Sequence, residues 1–230
     1  MDCTKLIVPA LVLGVALGMA GCGGSSDSVP PTYLHGLSVN IDRYNPSTGR
    51  AGDIVFDSRD EKPFWEFGKN VLMDQSGVLK DNCAFEFHVA MDAVLHYAAD
   101  GTVIFMEYQA ENADYEIGVQ SPDGRFIADY DHVRNPTVQI GSTVVAGQVL
   151  GTPGPWGDKF GRTEFQINAT TDGVVLSYPP WKYFEPGLLQ QYEDKVSNLM
   201  NDWEAFKKDS SIYNQAAMLY PGCTSETVVP

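Results

Sequence analysis

Apolar and polar positions change their period along the chain, and the changes divide it. From Cys83 to Pro179 short runs alternate with period two: Ala84–Val89, Thr102–Tyr108, Tyr115–Val119, Phe126–Tyr130, Thr143–Val145, Arg162–Ile167 and Val174–Tyr178. Turn signals separate them at Asp100-Gly101, Asp123-Gly124, Ile140-Gly141, Gly151–Gly154 and Asp172-Gly173. Short alternating runs at this spacing predict an antiparallel sandwich or barrel. Further upstream, Ser38–Asp42 and Gly52–Phe56 read as weaker strands, and the charges and isolated aromatics between Asp57 and Asn82 read as loops. After Pro179-Pro180 the period changes. Leu189, Tyr192, Val196, Leu199, Trp203 and Phe206 recur in steps of three and four, which puts them on one helix face. Pro186 suits the first helical turn and Lys207 and Lys208 the last. Ile212–Tyr220 reads as a second short helix. The aromatic run Tyr178–Phe184 is expected to seal the sheet where the first helix begins.

The N-terminus follows a third pattern. Met1–Lys5 is short and polar, Leu6–Ala20 is continuously apolar, and Gly21-Cys22 follows. The apolar run is short for a bilayer span of about 20 residues but has the length of a signal segment. Small residues immediately before a cysteine resemble the lipobox of bacterial lipoproteins. That resemblance implies lipidation at Cys22 and anchorage to a bacterial membrane, the outer one in a Gram-negative cell. Beyond it lies a Gly/Ser/Pro-rich stretch of tether composition. The chain therefore divides into a signal (1–21), a tether (22–37), a β domain (38–180) and a C-terminal helical extension (181–230).

Charge narrows the partners. Thirty acidic residues against fifteen basic ones give a formal net charge of −15. This excludes nucleic acid, whose phosphates need Lys and Arg, so membrane contact would come from the lipid. Of the four cysteines, Cys3 and Cys22 belong to the N-terminal segment, leaving Cys83 and Cys223 as an expected disulfide in an oxidising compartment.

Candidate chemistry lies inside the β region. Val138-Gln-Ile-Gly-Ser-Thr-Val-Val-Ala-Gly-Gln-Val-Leu-Gly151, Ala128-Asp-Tyr-Asp-His-Val133, Tyr97-Ala-Ala-Asp-Gly-Thr-Val103 and His88-Val-Ala-Met-Asp92 follow one another in an order that resembles the lysostaphin-like (LytM-type) zinc metallopeptidases of peptidoglycan. The resemblance covers roughly residues 84–170. It implies a mainly β fold, a LytM-like antiparallel sheet of the barrel-sandwich hybrid kind with C-terminal helices. A biotinyl or lipoyl carrier shares the Gly-Gln turn, but no lysine stands at Asp100-Gly101.

In such a peptidase, zinc takes three protein ligands and leaves a position for water, whose pKa it lowers. By resemblance, His88 and Asp92 would be metal ligands and His132 a catalytic histidine. The family closes its site with H-x-H. This chain has Arg162-Thr-Glu164 there, so Glu164 falls on the third ligand and Arg162 on the second catalytic histidine. Glutamate can bind zinc, but arginine stays protonated and cannot act as a base. Two readings follow: a His88/Asp92/Glu164 zinc site, or an Arg162–Glu164 ion pair in place of the metal. His96 is a spare ligand candidate, and Gly154–Gly157 is expected to be a loop whose Trp156 could stack on a sugar. The expected role is a non-catalytic envelope module that binds peptidoglycan or a cell-wall hydrolase, with an atypical zinc endopeptidase as the alternative.

Overall fold

The computed structural model describes residues 33–73, 76–158, 160–171 and 174–213. In chain order its strands are β1 (Arg50–Ala51), β2 (Ile54–Val55), β3 (Phe64–Trp65), β4 (Gly68–Met73), β5 (Leu79–Asn82), β6 (Phe85–Val89), β7 (Leu95–His96), β8 (Gly101–Gln109), β9 (Asp114–Gln120), β10 (Ile127–Arg134), β11 (Thr143–Val144), β12 (Val149–Trp156), β13 (Phe160–Thr171) and β14 (Val174–Tyr178). A short 3-10 helix, Pro180–Tyr183, leads into α1 (Pro186–Lys207). The fold is mainly β, as the alternation predicts. Twelve strands form one sheet in the order β1-β2-β6-β13-β12-β10-β9-β8-β11, with β14 on β13, β3 on β6 and β7 on β12; β4 and β5 form a separate hairpin.

The long strand β13 organises the sheet. One of its edges pairs first with β12 and then with β10; the other pairs first with β6 and then with β14. Alternation sorts its side chains, because successive residues point to opposite faces. Phe165 and Ile167 enter the core with Phe85, Phe87 and Val89 of β6, Ile117 and Val119 of β9, and Ala128 and Tyr130 of β10. The intervening residues Arg162 and Glu164 of β13 and Glu86 and His88 of β6 share the other face.

The helix fulfils its periodic pattern. Val196, Leu199 and Trp203 are buried, and Leu189, Tyr192 and Phe206 pack partly buried against the same core. Trp203 meets Phe56 edge-on at 5.1 Å, and Phe56 stacks on Tyr44 at 4.3 Å. Burying a side chain of this size contributes about 3 kcal/mol. Arg43 holds Asp202 through two hydrogen bonds of 2.7 and 2.8 Å. Lys208 ends the helix in a left-handed conformation and donates its N–H to the Ala205 and Glu204 carbonyls. Lys207 leaves its own helix end and donates to the carbonyls of Ser58 and Asp60, both at 2.9 Å. Tyr178 and Tyr183 meet edge-on at the sheet–helix junction.

Several expectations need correction. Ser38–Asp42 forms no strand, and Gly52–Phe56 retains only Ile54–Val55. The expected loops of 57–82 contain β3 and the β4–β5 hairpin. Gly151–Gly154 is the body of β12, not a turn, because Pro153 and Gly154 pair with β10 and β13. Residues assigned to the tether reach the core, where Tyr33, Leu34 and Leu37 are buried. Ile212 and Tyr213 are not helical, and the remainder of that expected helix lies outside the described residues, as do Cys3, Cys22 and Cys223. Cys83 is buried in the core. Among the described residues, no helix is long and apolar enough to cross a membrane.

Candidate functional site

The polar face of β13 carries a line of carboxylates that follows from strand register. Glu107 on β8 lies opposite Glu116 on β9, Asp131 on β10 lies opposite Glu164 on β13, and Glu164 lies opposite Glu86 on β6. Asp131 continues the line beside Glu116, whose charge environment includes Glu107, Asp131 and Glu164. Directly opposed like charges destabilise a sheet. Burial, with the charges of Asp131 and Glu107, raises Glu116 to about 7. Burial and then the Glu86 charge raise Glu164 to about 7, against the pull of His132 and Arg162.

Three basic side chains enter the buried end of this line. His88 stands next to Glu86 on one strand face. Its Nδ1 contacts Asp60 at 2.8 Å and its Nε2 contacts Glu86 at 3.2 Å. Burial pulls the ring's pKa down, but Asp60 and Glu86 outweigh it and raise the pKa to about 9. Burial likewise pushes Glu86 up, yet His88, Arg162 and His132 hold it below its ordinary value. His132 sits at a register shift in β10 with a positive φ of 58°. Such an irregularity can re-aim a side chain that strict alternation would send to the core. Its Nδ1 meets Asp114 at 2.8 Å, and its Nε2 lies 3.4 Å from Glu164 and 3.6 Å from Asp131. Burial lowers this ring's pKa as well, but the three carboxylates raise it to about 10.

Arg162 completes the cluster. It pairs with Gly154 of β12 on one side and His88 of β6 on the other. Its guanidinium lies against His132 Nε2, with Glu164 at 3.7 Å and Glu86 at 3.8 Å. Trp156 covers it, with the guanidinium carbon 4.1 Å from the ring centroid. Gly154 is required here: a Cβ at this position would fall 2.4 Å from an Asp114 carboxylate oxygen and 3.1 Å from the His132 Cβ.

The structure thus gathers His88, His132, Arg162 and Glu164, and leaves Asp92 out. Asp92 is exposed and pairs with Arg50 at 3.0 Å. His96 lies on β7 and lines a separate pocket with His35 and Lys195. The expected loop at Gly154–Gly157 is the end of β12 and the turn after it, with Trp156 stacked on Arg162. Sequence reasoning missed Asp60, Glu86, Asp114 and Asp131 as partners. Glu86 was legible, since it lies two residues from His88 on the same strand face. Asp131 adjoins His132. Asp60 and Asp114 carried no signal, because each is distant in sequence, Asp60 in the connection before β3 and Asp114 at the start of β9. Asp60 is delivered by the 57–62 segment, which α1 grips through Lys207 and through the Trp203 indole N–H on the Glu61 carbonyl.

Zinc needs neutral imidazole nitrogens as ligands. At His88 both ring nitrogens face carboxylates, and His88, Asp92 and Glu164 do not converge. Asp114, Asp131 and His132 do bring possible donor atoms within 4.8 Å of one another. There Nδ1 is taken up by Asp114 and Nε2 by the Arg162 guanidinium, which can only donate to it. The residues present therefore fit a closed charge network and do not fit a zinc centre.

No family model and no curated protein matches the chain. Among solved structures it is similar to lysostaphin in solution, with a TM-score of 0.41, 15% identity, and 62% of this chain and 56% of that chain covered. It is also similar to the catalytic domain of the antimicrobial peptidase lysostaphin from Staphylococcus simulans (TM-score 0.38, 21% identity, 46% and 79% covered) and to LytU (TM-score 0.40, 17% identity, 51% and 80% covered). The chain spans little more than half the length of the first of these.

Proposed function

We propose that this chain is a lipid-anchored envelope protein whose LytM-like domain is a non-catalytic binding module for peptidoglycan or a cell-wall hydrolase. One observation carries the non-catalytic part: Arg162 stands at the position the resemblance gives to a catalytic histidine, and the ring nitrogens of His88 and His132 are taken up by carboxylates and by its guanidinium. Arg162 stays protonated and cannot act as the base that activates water. Binding is supported at the rim of the same site, where Trp156 is 42% exposed above Arg162 and presents an aromatic face to solvent. The envelope setting rests on the signal-like N-terminus and Cys22.

The test is co-sedimentation of the mature protein with purified insoluble peptidoglycan, run beside a zinc-supplemented cleavage assay. The expected result is protein in the pellet, weaker pelleting for Trp156→Ala, and no release of soluble fragments. Zinc-dependent release of fragments would replace this reading with the endopeptidase one, whose support is the convergence of Asp114, Asp131 and His132. A folded protein that neither pellets with peptidoglycan nor captures a purified wall hydrolase would sink the binding claim. Cys22→Ser should abolish incorporation of labelled fatty acid; incorporation that persists would remove the anchor.

A further inference from the structure

The line of carboxylates has basic partners at one end only. At the Glu164 end stand His132 and Arg162, 3.4 and 3.7 Å from that carboxylate. At the other end Glu107 is exposed and Glu116 half-buried. The side chains that act most strongly on Glu116 are Asp131, Glu107, Gln109 and Glu164, and none of them is basic. Ile117 of β9 belongs to the core, so Glu116 beside it points to the outer face.

The spacing of these acids selects among cations. Adjacent strands lie about 4.8 Å apart, so Glu107, Glu116 and Asp131 on three successive strands extend over about 10 Å. Among the described residues, only Asp114, Asp131 and His132 bring three possible donor atoms within 4.8 Å of one another. The line is thus too spread for one metal ion to bridge. Phe105 adds an apolar surface. It alternates with Glu107 on β8, and its ring lies over Gly118 of β9, where a Cβ would fall 2.0 Å from it. The ring is half-buried, and such a ring attracts both an ammonium group and the methylenes beside it.

Asp129 supplies an independent observation. It is 1% exposed; one of its carboxylate oxygens accepts from Asn168, and the other has no hydrogen-bond partner. Its neighbours Ala128 and Tyr130 are in the core, so Asp129 points the other way, onto the face that carries Glu116 and Asp131. Register agrees: Asp129 lies opposite Gly118 of β9, two residues from Glu116, and Glu116 and Asp131 are the acids whose charges act on it. Nearly all buried polar atoms are paired, and one that is not calls for an explanation. A donor arriving over this face would supply the missing partner.

We infer that the Glu107–Glu116–Asp131 face binds a linear aliphatic polyamine, with ammonium groups between successive carboxylates and methylenes on Phe105. The inference does not depend on the wall-binding reading, because its test contains no peptidoglycan. The full chain is titrated calorimetrically with spermidine and, separately, with magnesium chloride, at fixed ionic strength and pH 8, where Glu116 is ionised. The expected result is saturable binding of spermidine that magnesium neither matches nor competes away. Glu116→Gln keeps the side-chain shape and relieves the repulsion from Glu107, so it leaves the fold intact; it should weaken spermidine at least about tenfold, the equivalent of one charge-assisted hydrogen bond. Asp92→Asn removes an exposed acid paired with Arg50, away from this face, and should leave spermidine affinity unchanged. No saturable binding of spermidine, magnesium binding as tightly at the same site, unchanged affinity in Glu116→Gln, or an equal loss in both variants would each overturn the proposal.

Discussion

Replacing Glu164 by glutamine should stabilise the protein near pH 8 and leave its stability almost unchanged near pH 5. Glu164 is 2% exposed and carries a pKa raised from 4.5 to about 7. Between these values the folded chain holds a proton that the unfolded chain has lost, so stability falls as pH rises through the window. Each tenfold difference in proton affinity between the two states is worth about 1.4 kcal/mol, and the full penalty at pH 8 is about 3 kcal/mol. Glutamine is shaped like the protonated acid and avoids that penalty. The figure is a ceiling, because the ionised carboxylate also lies 3.4 Å from the His132 ring and 3.7 Å from the Arg162 guanidinium. Thermal unfolding of wild type and variant across pH 5 to 9 reads the effect. For a chain of this size, about 3 kcal/mol corresponds to roughly 6–12 °C in Tm. A variant less stable than wild type at pH 8 would reverse the conclusion, since it would make ionised Glu164 a net stabilising partner of Arg162 and His132.

Other consequences follow from the same contacts. His88 and His132 have pKa values raised to about 9 and 10, so their contribution is complete below about pH 6.5 and is lost as pH rises through those values; denaturant titrations should show wild-type stability falling from pH 6 to 10. Gly154→Ala drives a methyl into Asp114 and His132 and should cost about 1–3 kcal/mol in urea unfolding. Asp60→Asn removes a buried partner of His88 and should cost about 3 kcal/mol, whereas Asp92→Asn, on an exposed pair with Arg50, should change stability by less than about 1 kcal/mol. Lys207→Met should loosen the 57–62 segment and lower the His88 pKa, read by NMR titration of its ring, because α1 would no longer hold the Ser58 and Asp60 carbonyls.

The parts legible in the sequence are those governed by local periodicity. Alternation locates β6, β8, β9, β10, β13 and β14, and the three-and-four spacing locates α1 and its buried face. Gly151–Gly154 misleads because Gly and Pro are turn residues by local preference; here Gly154 lies in a strand so that Asp114 can approach. The β4–β5 hairpin is obscured by charged and glycine residues without a clean period. In the site, Arg162 and Glu164 share a face by alternation, as do Glu86 and His88, so half of the network could be read from two strands. The rest depends on register between distant segments. Asp92 has a fitting motif position, yet the chain after β6 turns it to solvent beside Arg50. His132 faces the cluster at a register shift that no period-two pattern encodes.

Carboxylates and the Arg162 guanidinium take up the ring nitrogens of His88 and His132, and ¹⁵N-edited NMR of both rings at pH 7, before and after one equivalent of zinc, asks directly whether that network keeps a metal out. The signals of both rings should stay in place when zinc is added. A bare ring nitrogen on either residue that shifts in stoichiometric response to zinc would mean that the site is open to the metal after all.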